Sequence, residues 1–80
     1  MNRYIEHIIN DLVRDTKINY DREEIHFPFH QFPSPFTLHS LLLFLSLSKY
    51  CKDTYGLTEE EIEYVWDQYK STIKDKITNR

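Results

Sequence analysis

The chain has 80 residues, a formal net charge of −3, one cysteine and one glycine. That length makes one small domain, 1–80, whose core buries only about 60% of the unfolded surface, and the lone Cys51 excludes an internal disulfide as its staple. The negative charge argues against a binder of nucleic acid or of anionic membranes, since both call for clustered lysine and arginine.

Self-association, or docking on a partner, then becomes the leading way to stabilise so small a core. Residues 2–16 alternate charged and apolar side chains and lack the continuous apolar stretch of a signal peptide. The run Leu41–Leu47 is short and interrupted by Ser46, so it does not span a bilayer. These features place the chain in the cytoplasm of a host cell or in a virion. Abundant Ile, Asn, Lys and Tyr with no alanine suggest an AT-rich genome, and a virus or phage is the natural home for such a short, glycine-poor chain.

In chain order, Tyr4, Ile5, Ile8, Ile9, Leu12 and Val13 repeat with helical period, while Arg3, Glu6, Asn10, Asp11 and Arg14 take the other face. This predicts an amphipathic helix over 2–16 with Asn2 as its N-cap. Residues 17–24 are polar, broken only by Ile18 and Tyr20. In the next stretch Ile25, Phe27 and Phe29 alternate with His26, Pro28 and His30, an extended period. Pro28 and Pro33 lack donors and hold their predecessors extended. With no second strand to pair with, this predicts a Phe/Pro strap between the first two helices rather than a sheet.

Ser34-Pro35 resembles a helix start, serine as cap and proline in the first turn, which predicts a second helix over 35–54. From Phe36 to Leu47 it is apolar on every side, with Leu43 and Leu47 pointing opposite to Leu41 and Leu45. A helix of that kind needs cover all round, from the rest of the chain or from another protein. Gly56 fits a left-handed residue ending that helix. Thr58-Glu59-Glu60-Glu61 is a capping box, and Leu57 with Ile62 makes a hydrophobic staple. Ile62, Val65, Trp66, Tyr69, Ile73 and Ile77 form one stripe, predicting a third helix over 58–77, packed antiparallel on the second. The expected fold is all-α, a three-helix domain.

Candidate chemistry is sparse. His26, His30, His39 and Cys51 lack the compact spacing of a zinc site. Cys51 and His39 lie about 18 Å apart along one predicted helix, too far to act as a pair. No phosphate loop or nucleophile elbow is present. Neither enzyme activity, a metal, a cofactor nor a small-molecule substrate is expected.

Residues 49–62 resemble a helix–turn–helix, with a helix, a turn containing Gly56 and a capped second helix. Such a motif implies a DNA-binding regulator, and it would direct Glu59, Glu60, Glu61 and Glu63 into the major groove. Carboxylates there face phosphates and repel them. The preferred expectation is therefore a non-enzymatic protein-interaction subunit, a structural or accessory piece of a larger assembly, with a protein partner or a second copy and without nucleic acid or membrane. Its partner-binding candidates are Tyr20, Phe27, Phe29, Phe32, Phe36, Leu38, Leu41, Leu42 and Leu45, since large apolar patches on small proteins mark interfaces.

Overall fold

A computed structural model of the chain describes residues 3–36 and 41–79. The order of elements is α1 (Arg3–Asp15), β1 (Lys17–Asn19), β2 (Glu24–His26), β3 (Ser34–Pro35), α2 (Leu41–Tyr55) and α3 (Glu59–Thr78). The three strands form one antiparallel sheet in the order β1-β2-β3.

This corrects the all-α expectation. The Phe/Pro strap does find strands to pair with. Ile25 faces Ile18 across the first ladder and Ser34 across the second, with Lys17 opposite His26 and Glu24 opposite Pro35. The partners were hidden because they are so short. A strand of three residues with a single apolar side chain, Ile18, shows no alternation to detect. Ser34-Pro35 is likewise a strand and not a helix start. Proline is tolerated there because β3 is an edge strand. Pro35 is accordingly not part of the second helix, whose described residues are Leu41–Tyr55. The expected N-cap Asn2, together with Leu38 and His39, lies outside the described residues.

The remaining boundaries follow local chemistry. Helix α1 buries Ile5, Ile8, Ile9 and Leu12 along one stripe. It ends at Thr16, whose amide donates to the Val13 carbonyl at 3.2 Å and whose hydroxyl donates to the Leu12 carbonyl at 2.6 Å. The β1–β2 turn is closed by the Asn19 carboxamide oxygen, which accepts from the Arg22 amide at 3.2 Å. Gly56 has φ +65° and donates to the Lys52 carbonyl at 3.1 Å, ending α2 in the left-handed cap its residue type allows. The capping box of α3 is complete: the Thr58 hydroxyl accepts from the Glu61 amide at 3.2 Å, and the Glu61 carboxylate accepts from the Thr58 amide at 2.9 Å. Leu57 and Ile62, the staple, are both buried.

Helix α3 packs against both α1 and α2, and its stripe Ile62, Val65, Trp66, Tyr69 and Ile73 runs through the core. Tyr69 is fully buried at the point where the elements meet. Its ring lies 6.2 Å from Phe27, 5.7 Å from Phe29 and 6.4 Å from Trp66. Its hydroxyl bonds the Thr16 hydroxyl at the end of α1. Among the described residues no polar or charged side chain is buried, so the core is held by apolar burial and ring packing.

Candidate interaction surface

The nine partner-binding candidates separate once folded. Phe27 is only 4% exposed and stacks on Phe29 at 5.1 Å. Phe29 is half-buried and meets Tyr69 edge to face. The seven residues between β2 and β3 form a wide loop that turns these two rings inward, braced by the His30 amide donating to the Phe27 carbonyl at 3.3 Å. Phe36 is half-buried and meets the Tyr20 ring edge to face at 6.3 Å. The Tyr20 hydroxyl donates to the Lys76 carbonyl at 3.1 Å, which ties the first turn of the sheet to the last turns of α3. Phe27, Phe29 and Phe36 are turned into the fold, and Tyr20, 38% exposed, is held at its edge by these contacts. Leu38 lies outside the described residues.

The other four candidates face out. Leu41 is 71% exposed, Leu42 61%, Leu45 54% and Phe32 65%. The three leucines occupy the first turns of α2 at i, i+1 and i+4, so they share one face. The opposite face of the helix is filled by Leu43, Leu47 and Cys51, all buried. The apolar-all-round pattern thus divides, half of it packed inside and half presented outside. Further along α2 the same outward face carries Lys49, Lys52 and Asp53, all exposed.

Hollows flank this leucine ridge on both sides. Toward α3 a cleft of about 280 Å³ is floored by Phe44, Leu45 and Ile62 and rimmed by Ser48, Lys52, Glu59 and Glu63. Phe44 is held against Trp66 at 5.9 Å, and Lys52 reaches Glu59 at 3.8 Å. Toward the strap, a hollow of about 350 Å³ is lined by Phe29, Ser46, Lys49, Tyr50, Asp53 and Thr54. The strap is fixed there by His30, whose Nδ1 lies 3.3 Å from the Ser46 hydroxyl. Phe44 was not singled out in the sequence, because a phenylalanine on an apolar-all-round helix carries no sign of which side it will take.

Cys51 is fully buried, and burial pushes its thiol up to about 11, which leaves it a protonated, poor nucleophile at neutral pH. A thiol-reactive disulfide reagent should therefore label Cys51 in the native chain at least about a hundredfold more slowly than in denaturant. Equal rates would place Cys51 at the surface. Among the described residues no three His, Cys, Asp or Glu side chains gather as a metal site, and no helix is long and apolar enough to cross a membrane.

Comparisons with protein-family models, with curated proteins and with solved structures give no match to this chain.

Proposed function

We propose that this chain is a non-enzymatic protein-interaction subunit, a small structural or accessory component of a larger assembly, virus- or phage-encoded and working in a virion or in the cytoplasm of a host cell. The observation that carries this reading is the exposed leucine face of α2. Leu41, Leu42 and Leu45 stand together in water, while the other aliphatic side chains among the described residues are buried or partly buried. Their exposed area is roughly 300 Å², which falls in the range of about 300–600 Å² for the largest apolar patch on a typical monomer, a patch that is often functional. The flanking hollows give it relief, and relief is what lets a partner's side chains interdigitate.

The DNA-binding alternative has the charges against it. Glu59, Glu60 and Glu63 are exposed at the start of α3, where a recognition helix would meet the phosphates.

The reading is tested with a photo-crosslinking amino acid at position 45, and at position 74 as an exposed control on α3, in chain expressed in its own host. Adducts to protein should form from position 45 and be absent or several-fold weaker from position 74. Equal yields at both positions would remove the leucine face as an interface and, with it, the proposed function.

A further inference from the structure

The exposed face of α2 changes character along its length. Leu41, Leu42 and Leu45 occupy its first turns, and Lys49, Lys52 and Asp53 its last. At about 100° per residue, Leu41, Leu45 and Lys52 fall in one strip, with Leu42 and Lys49 beside them. No acidic residue lies in the first turn of the helix, so the apolar half of the face carries no charge that would need an opposite one. Such a surface is complementary to itself.

The area agrees. A stable pair of proteins buries about 800 Å² on each side, a little over half of it apolar, or roughly 450 Å². The three leucines supply roughly 300 Å² of this. That is about two-thirds of the amount, and the half-buried Phe44 lies beside Leu45 in the adjoining cleft. Most of the apolar share of one standard two-fold interface is therefore present on this face.

Charge then selects the orientation. Two copies of α2 packed in parallel would set Lys49, Lys52 and Asp53 of one against the same three residues of the other, like charge on like. An antiparallel two-fold sets leucine on leucine near the axis and sends the lysines to opposite ends. Each copy's Lys52 stays beside its own Glu59. The cleft of about 280 Å³ floored by Phe44 and Ile62 provides a groove beside the ridge into which a partner leucine packs.

We propose that the chain forms a two-fold symmetric dimer in which the Leu41–Leu42–Leu45 face of α2 packs antiparallel on the same face of a second copy. The proposal rests on reading that face as an interface and names its occupant. Two-fold closure also limits the assembly to two copies at this surface.

The test is the mass of the purified full chain by light scattering from micromolar concentration upward, with circular dichroism on the same samples. Wild type should approach twice 9.8 kDa. Leu45→Glu and Leu45→Lys should each stay folded and associate at least about a hundredfold more weakly. Mixed together, the two variants should re-associate, because residue 45 meets its own counterpart across the axis. A wild type that stays monomeric overturns the dimer, and so does a dimer unaffected by Leu45→Glu. A monomeric chain that still crosslinks from position 45 to a different protein sinks the dimer and leaves the interaction function standing. A monomer without any such adduct sinks both.

Discussion

Replacing Tyr69 by alanine should destabilise the fold by about 3–5 kcal/mol, the range for deleting a large buried aromatic. The reason lies in its position. Tyr69 is fully buried, and its ring touches two phenylalanines of the wide loop and Trp66 one turn away on its own helix. Its hydroxyl reaches the end of α1 at Thr16. One side chain therefore couples the sheet loop, α1 and α3, and a cavity there is bordered by all three. For a domain of this size each kcal/mol shifts Tm by about 4–8 °C, so the variant should melt about 12–40 °C lower, or be unfolded at room temperature. Tyr69→Phe separates the ring from the hydroxyl. The Thr16 hydroxyl already donates to the Leu12 carbonyl, so it accepts from Tyr69, and losing that donor leaves one acceptor unpaired. The expected loss is about 1 kcal/mol. Thermal melts of both variants read the difference, and a Tyr69→Phe loss as large as that of Tyr69→Ala would mean that the hydroxyl, not the ring, holds the junction.

Ile25→Asp should be at least as damaging, at about 4 kcal/mol or more. Ile25 is the central residue of the central strand, fully buried and paired with Ile18 on one side and Ser34 on the other. A carboxylate there has no buried cation to pair with, since no charged side chain is buried among the described residues, and an unpaired buried charge is among the costliest changes a core can receive. The neighbouring His26→Asp makes the control, because His26 is exposed on the same strand and should shift stability by about 0.5 kcal/mol or less. Urea titrations of the pair measure it. Equal, small effects would mean that the strand is an open strap and that the sheet does not contribute to the core.

Helices α1 and α3 and the end of α2 were legible in the residues because their signals are local. The capping box at Thr58–Glu61, the Leu57–Ile62 staple and the glycine at 56 each involve groups a few positions apart, and the 3.6-residue stripes of α1 and α3 name their own buried faces. Trp66 took the core position its stripe assigns it. The strap's extended character was likewise written in the alternation from Ile25 to Phe29.

The sheet was not legible. Its pairings join Ile25 to Ile18 and to Ser34, residues whose neighbours look like a polar link and a helix cap. The two- and three-residue strands around them are too short to carry a period, and they become strands only by pairing with one another. The interaction candidates divide for the same reason. Phe27, Phe29 and Leu45 are equally apolar as letters. Burial is a property of what a side chain meets, and Tyr69, fixed by α1 and α3, meets the first two. Among the described residues none packs over the outward turn of α2, and Leu41, Leu42 and Leu45 stay exposed. Period and caps are short-range properties that a sequence contains outright. Which apolar face remains uncovered is a sum over distant packing, and it is settled only when the whole chain has closed.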